Sequence, residues 1–290
     1  MSRRSADLLA RANAIAPLSG VDLGTLSDFL YARTGMQFGE SKRYYIDRRV
    51  AERMAHRHLV DFADYFSLLR TDPDEAEQLI NSFTVNETYF YREDHQLACL
   101  SRSILPDLVR GKGPGDKIRI WSVPCSSGEE PYSIAIWLLE NWALVDAYNV
   151  EIVGSDIDTD IVAEALEANY GQRALMRLPP ALVERYFEPV QNGRFRLLQD
   201  LRESVSFTGV NITDPGSVAR QGRFNVIFCR NLLIYFDEAA RIRCMRSLFD
   251  SLRPGGYILL GHSESMSRIS ERFVTRRFPE AIVYQRPEQS

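Results

Sequence analysis

The chain is expected to fold as an α/β protein: a doubly wound sheet closed by an antiparallel terminal hairpin, with a small N-terminal helical domain and a small antiparallel β insertion. Three observations carry this expectation. From residue 118 onward, short runs rich in β-branched and aromatic residues alternate with helical segments, the rhythm of a sheet whose strands are joined through helices. Residues 21–83 show helical periodicity and no strand signal. The tail FVTRRFPEAIVYQR holds two extended pieces around Pro279, which suits a closing hairpin.

The stretch IRIWSVPCSSGEEPYSIAIW, residues 118–137, passes from a buried strand through a tight loop into a helix. Ile118, Ile120 and Val123 favour a strand and Pro124 stops it, while Ser126-Ser127-Gly128 let a backbone approach a ligand closely. Pro131 suits a first helical turn, where its missing N–H costs nothing. Ile134, Trp137 and Leu138 give that helix an apolar face, leaving its N-terminal amides directed at the loop. Taken alone, with one glycine and no G-x-G-x-x-G, the loop is an ordinary strand-to-helix turn; the segments C-terminal to it tip the balance to a ligand site.

In the helical domain, Leu23, Leu26, Phe29 and Leu30 form an apolar face that ends near Gly35. A second helix is expected over 41–57, carrying Lys42, Arg43, Arg48, Arg49, Arg53 and Arg57 against Asp47 and Glu52. Arg49, Arg53 and Arg57 recur every four residues and make a stripe, either a solvated surface or a docking surface for an acidic partner. Asp61 and Pro73 begin two more short helices.

Residues 84–114 connect the domains through TVNETYFYRE, a helix near 94–109 and the loop GKGPG. Here Tyr89, Phe90 and Tyr91 read as a hydrophobic hinge, and Asn86, Thr88 and Arg92 as ligand contacts. The larger domain is expected over 115–287. Its second strand, near 150–154, leads to Asp156 and then a helix near 161–168. An acidic residue at the end of a second strand accepts hydrogen bonds from a ribose; Asp156 is otherwise a helix cap, although Asp158 can take that role. Phe224–Cys229 reads as a third strand ending in Arg230-Asn231, and Arg253-Pro254-Gly255-Gly256 turns the chain into a fourth near 257–260. Asn192-Gly193 flanked by Phe187, Phe195 and Leu197 signals a hairpin, placing the β insertion at about 184–208.

The 290 residues are 45% hydrophobic and 26% charged, the composition of a soluble globular protein. A formal net charge of −4 argues against nucleic acid as a whole-surface partner. No run approaches the ~18 apolar residues of a membrane span, so direct membrane insertion is not expected. Cys99, Cys125, Cys229 and Cys244 form no C-x-x-C pair, which suits the reducing cytoplasm. Residues 1–20 read as a loose amphipathic arm, because Asp7 and Arg11 interrupt the apolar run. The histidines His56, His58, His95 and His262 are scattered, so no metal is expected. Triad, nucleophile elbow and Walker loop are missing from the sequence. What remains suits a group-transfer cofactor whose leaving group is already activated.

Five motifs occur in order: TVNETYFYRE, WSVPCSSGEEPYSIA, GSDIDTDIV, FCRNLLIYFD and LRPGGYILLGHSES. Together, over about residues 21 to 285, they resemble the CheR family of chemotaxis receptor methyltransferases. The resemblance implies a class I methyltransferase fold with S-adenosyl-L-methionine as cofactor and S-adenosyl-L-homocysteine as product. It implies methylation of glutamate side chains on the cytoplasmic helical domains of chemoreceptors. Carried over residue by residue, it implies cofactor contacts at Asn86, Thr88, Arg92, Glu130, Asp156, Asn211, Ile212, Arg230 and Asn231. It puts Arg92 and Tyr235 beside the reacting methyl group; the basic stripe of Arg49, Arg53 and Arg57 is then expected, from its charge, to dock the receptor's acidic, glutamate-bearing helices. Family members that capture a receptor C-terminal peptide on the β insertion carry a longer, glycine-rich turn there. This chain has the compact PVQNGRF, so methylation independent of that tether is expected.

The chemistry agrees with the resemblance. A glutamate with a pKa of ~4.3 is already a carboxylate at neutral pH and needs no base to attack a sulfonium methyl. A nicotinamide oxidoreductase should show G-x-G-x-x-G where SVPCSSGEE stands, and a silent receptor adaptor would lack the cofactor motifs.

Overall fold

The computed structural model describes residues 3–39, 42–267 and 269–288. The chain forms two compact units, one of Met1–Val85 with Tyr235–Asp237 and one of Asn86–Ile234 with Glu238–Ser290.

The first unit is helical. Its opening segment corrects the expectation of a loose arm: α1 (Arg3–Ala14) is a helix, Ala12 and Leu18 are buried, and the Leu18 amide donates to Asp47 Oδ1 at 3.1 Å. A charged residue interrupts an apolar run in sequence without interrupting an apolar stripe on a helix. In α2 (Gly20–Thr34), Ser19 caps the N-terminus and Gly35 closes the C-terminus at φ 70°, the left-handed cap that glycine adopts without strain. The next helix, α3 (Arg43–His56), packs against α1. Asp61 and Asp72 cap α4 (Phe62–Thr71) and α5 (Pro73–Phe83), with Pro73 in the first turn. Leu26, Leu30, Ile46, Tyr65, Leu79 and Phe83 form the core. Phe236 pairs antiparallel with Met36, and the Tyr31 hydroxyl donates to Asp237 Oδ2 at 2.9 Å, so Tyr235–Asp237 belong to this unit.

The second unit opens with α6 (Asp94–Cys99), a π turn at Leu100–Ile104 and α7 (Leu105–Leu108). The sheet then begins with β1 (Lys117–Ser122), α8 (Glu129–Asn141), β2 (Asn149–Asp156) and α9 (Thr159–Glu167). A β excursion comes next: β3 (Asn169–Tyr170), α10 (Gln172–Leu175), α11 (Pro180–Tyr186), β4 (Phe187–Val190) and β5 (Arg194–Leu197). The chain returns through α12 (Gln199–Glu203), β6 (Val205–Gly209), α13 (Pro215–Ala219) and β7 (Phe224–Cys229). It ends with α14 (Glu238–Ser251), β8 (Leu252–Leu260), β9 (Val274–Arg277) and β10 (Ile282–Gln285).

The seven-stranded sheet runs β6-β2-β1-β7-β8-β10-β9. Its β6, β2, β1, β7 and β8 are parallel, and β10 is antiparallel to both β8 and β9. β3-β5-β4 form the separate three-stranded sheet. The expected insertion is therefore trimmed: β6 leaves it and joins the main sheet, Ile152 opposite Val205 and Asp156 opposite Gly209. An alternating segment such as VSFTG does not declare which sheet it will join. Packing decides, for Phe207 fills the space beside Gly154, where an added Cβ would lie 2.7 Å from its ring.

Candidate functional site

The strand order reverses at β1, whose neighbours β2 and β7 lead away in opposite directions. In open parallel sheets the crevice at such a reversal, beyond the strands' carboxyl ends, is where ligands sit. The predicted residues of the second unit gather on loops at that edge.

After β1, Gly128 takes φ 91° and begins α8. A Cβ there would lie 3.0 Å from Ala165 and 3.2 Å from Phe207, so the loop can press onto the sheet only because this residue is glycine. Glu130, in the first turn of α8, accepts from Ser122 Oγ at 2.8 Å and from Arg230 Nη1 at 2.7 Å. Arg230, at the end of β7, is 5% exposed. It also lies 3.4 Å from Glu93 Oε2 and donates to the Arg92 carbonyl at 2.8 Å. One buried guanidinium thus joins the first loop, the end of β7 and the segment bearing Arg92. Burial alone would raise the Glu93 carboxyl, but Arg230 and hydrogen bonds from His262 outweigh it and hold Glu93 below the usual carboxylate range.

The 91–93 segment is strained. Tyr91 and Glu93 have φ 58° and 55°, values that cost non-glycine residues about 1–3 kcal/mol each. They are held there by Ser133 Oγ, which accepts from the Tyr91 amide at 3.0 Å, and by Arg230. Arg92 itself is half-buried, donates to the Glu87 carbonyl at 3.0 Å and lies over the Tyr89 ring. Ser126 and Asn231, at φ 49° and 57°, repeat the pattern on the two neighbouring loops.

Asp156 ends β2 and is 4% exposed. Its Oδ2 accepts from the Ser126 amide at 2.8 Å and its Oδ1 from the Asp158 amide at 3.1 Å. The carboxylate therefore ties the loop after β1 to the loop after β2. Burial raises its pKa to about 6 against the pull of those amides. The cap of α9 is Asp158, which accepts from Asp160 and Ile161 amides and from Asn86 Nδ2 at 2.8 Å. Asn86 is tied to the same edge a second time through its carbonyl, which accepts from Ser126 Oγ at 3.2 Å.

Asn211 and Ile212 lie just beyond β6, where Asn211 Oδ1 accepts from the Thr213 amide and hydroxyl at 3.0 and 2.8 Å. Ile212 is buried and Thr88 half-buried. Asn231 comes directly after Arg230 on the β7 loop. Glu93, Ser122, Ser133 and Glu264 were not singled out from sequence; each supports a named residue through a backbone or charge contact. Their only sequence signal was membership of the five motifs.

Two expectations fall in the first unit. Tyr235 groups there, its carbonyl accepting from the Gln37 amide at 3.4 Å. The arginine stripe is not a uniform exposed row: Arg53 is drawn to a buried partner, while Arg49 and Arg57 keep 36% and 40% of their side chains exposed. Arg53 makes a bidentate pair with Glu75, 3.0 and 2.6 Å, and the Glu75 side chain is 0% exposed. Arg57 pairs with Asp72 and reaches the same Glu75 at 3.5 Å. Arg49 alone of the three faces away from this buried pair, lying over Tyr45 and 3.6 Å from Glu52. The four-residue spacing was right; Glu75 of α5 turns Arg53 inward, while Arg57 stays 40% exposed beside Asp72.

The family pattern described as CheR methyltransferase, SAM binding domain, matches residues 86–282, and that of CheR methyltransferase, all-alpha domain, matches residues 22–84. Chemotaxis protein methyltransferase 2 of Vibrio cholerae is 43% identical over 94% of this chain and 95% of its own length. The chemotaxis protein methyltransferase of Klebsiella aerogenes is 36% identical over 95% of this chain and 93% of its own. That of Escherichia coli is 33% identical over 89% of each. With its sheet order and the two matched domains, the chain belongs to the CheR methyltransferase family and is an S-adenosylmethionine-dependent methyltransferase of the class I fold.

Proposed function

We propose that this enzyme transfers the methyl group of S-adenosylmethionine to glutamate carboxylates on the cytoplasmic helical domains of chemoreceptors, giving glutamyl methyl esters for sensory adaptation. The observation that carries the reading is the polar set at the sheet edge: the carboxylates of Glu130 and Asp156 and the guanidinium of Arg230, which also holds the main chain of Arg92, on adjoining loops. This mixed set fits a ligand with an α-ammonium, an α-carboxylate and ribose hydroxyls. Glu130 would hold the amino-acid part and Asp156 the ribose, with Asn86, Thr88, Asn211, Ile212, Arg230 and Asn231 completing the cradle. The bound cofactor supplies an electrophilic methyl group on a sulfonium sulfur. A substrate carboxylate oxygen bonds to the methyl carbon as the carbon–sulfur bond breaks, and no proton has to move. Catalysis then rests on alignment, an effect of up to about 7–11 kcal/mol, for which we assign Arg92 and Tyr235 as the positioning groups beside the methyl.

Receptor docking we assign to the outward side of α3, where Arg48 is exposed and Arg49 partly so. The turn between β4 and β5 is the three-residue Gln191–Gly193, which supports methylation without a C-terminal tether. Among the described residues no helix is long and apolar enough to cross a membrane, in keeping with a cytoplasmic site of action. The test is transfer of label from methyl-labelled S-adenosylmethionine to receptor cytoplasmic fragments, with and without their C-terminal tail. Label released by base as methanol from both fragments is expected. No label on either would remove the function, and label on the tailed fragment alone would remove tether independence.

Asp156 gives the enzyme a pH effect. Cofactor hydroxyls donate to its ionised form, so affinity for S-adenosylhomocysteine should fall as pH drops through about 6. Stability moves oppositely: for a carboxyl raised by burial, the contribution is fully present below its ordinary 3.8 and lost as pH rises through about 6. Calorimetric titration at several pH values should show the binding trend in the wild type and a flat profile in Asp156→Asn; a sloped profile in the variant would assign the titration elsewhere.

A further inference from the structure

We infer that Glu264 is a positioning residue for the cofactor, acting through the backbone of the loop that carries Asn231; this deepens the proposed function and rests on it. Glu264 Oε2 accepts from the Asn231 amide at 2.8 Å and the Gly261 amide at 2.9 Å, and Oε1 accepts from the Leu233 amide at 2.7 Å. One carboxylate thus takes three main-chain N–H groups from the loops after β7 and β8. Charge-assisted hydrogen bonds of this kind are about twice as strong as neutral ones. Asn231 is held at φ 57°, a left-handed conformation that a non-glycine residue keeps only where its surroundings insist. The clamp supplies that insistence from both sides, at the Asn231 amide and two residues on at Leu233. Gly261 completes the device, because a Cβ at that position would lie 2.9 Å from Glu264 Oε2 and 3.0 Å from the Asn231 amide nitrogen.

Glutamine cannot replace this group. Its single carbonyl oxygen offers two lone pairs to three donors, and its amide nitrogen would set a donor against a donor. Glu264→Gln should therefore free the 230–233 loop, leaving the side chains assigned to the cofactor unchanged.

The experiment has two arms on the full chain. Amide hydrogen exchange without ligand reports the clamp itself, and calorimetric titration with S-adenosylhomocysteine reports its consequence. In Glu264→Gln, exchange at Asn231 and Leu233 should accelerate at least tenfold, and affinity should weaken about tenfold, as for the loss of one or two charge-assisted hydrogen bonds. The Michaelis constant for S-adenosylmethionine should rise while that for receptor stays put. A purely structural role would lower the active fraction, and hence the apparent kcat, with both Michaelis constants unmoved; that split overturns the inference, as do unchanged exchange or faster exchange with wild-type affinity. Gly261→Ala crowds the same carboxylate and should give the same pair of changes should Glu264→Gln not fold. Wild-type protein that fails to bind S-adenosylhomocysteine would overturn the functional reading itself, and this inference with it, whatever the exchange arm gives.

Discussion

Arg230→Ala is expected to lower methyl transfer by a factor of 10² or more and to weaken S-adenosylhomocysteine binding in parallel. Arg230 is buried at 5% exposure, between Glu130 at 2.7 Å and Glu93 at 3.4 Å. Removing one partner of a buried ion pair costs about 3–5 kcal/mol, because the abandoned charges stay out of water. Here two carboxylates would be abandoned at once. The structure can avoid that cost by protonating them or by letting the loops open, and either response spoils the site. Glu130 would lose the group that orients it, and the Arg92 carbonyl would lose its donor at 2.8 Å, releasing strain held at Tyr91 and Glu93. A loss of 3–5 kcal/mol expressed in the transition state corresponds to roughly two to four orders of magnitude in rate. Arg230→Lys should recover little, since an ammonium lacks the planar fork that reaches two carboxylates and a carbonyl together. The check is calorimetry with S-adenosylhomocysteine beside a labelled transfer assay, with circular dichroism to establish the fold. Affinity within twofold of wild type would show Arg230 to be dispensable to the site.

The second large effect is on stability. Arg53→Ala should destabilise the helical unit by about 3 kcal/mol, the lower end of the range for breaking a buried pair, since it removes the bidentate partner of Glu75, whose side chain has no solvent exposure and keeps only Arg57 at 3.5 Å and the Tyr65 hydroxyl at 2.9 Å. Glu75 and Arg53 replaced together by apolar residues should be far milder, because no lone charge is then left buried. Arg49→Glu makes the contrast: with its side chain 36% exposed, it should leave the unfolding midpoint nearly unchanged and raise the Michaelis constant for receptor fragment. That rise should be largest at low salt, where screening is weakest. Denaturant unfolding measured beside receptor kinetics separates the two residues. A stable Arg53→Ala with impaired docking would restore the single stripe that sequence spacing suggested.

The caps were legible because capping is local. Gly35, Asp61 and Pro73 act within three or four residues of themselves, and their chemistry specifies the backbone they sit on. β7 was equally plain, since all six of its residues are buried and a strand covered on both faces reads as one continuous apolar run. The hairpin at Asn192-Gly193 obeys the same kind of local rule, Asn192 taking φ 62° and Gly193 φ 66°. Among the residues proposed for the site, Asp156 was legible from its place at the end of a strand, whereas Glu130 and Arg230 entered only through the motifs that carry the family resemblance.

The residue pattern thus specifies the kind of most elements, though not of α1, and, through five motifs in order, the family. The tertiary structure alone decided which charges meet. Glu130 and Arg230 are 100 residues apart, Arg53 and Glu75 22, Asn231 and Glu264 33, and periodicity reports which face of a helix is apolar without reporting what will cover it. That is why one arginine of a correctly spaced stripe became half of a buried pair, why VSFTG left the insertion for the main sheet, and why Glu264 passed unnoticed. Its role is carried by three backbone amides, groups that every residue but proline possesses and that no side-chain pattern can reveal.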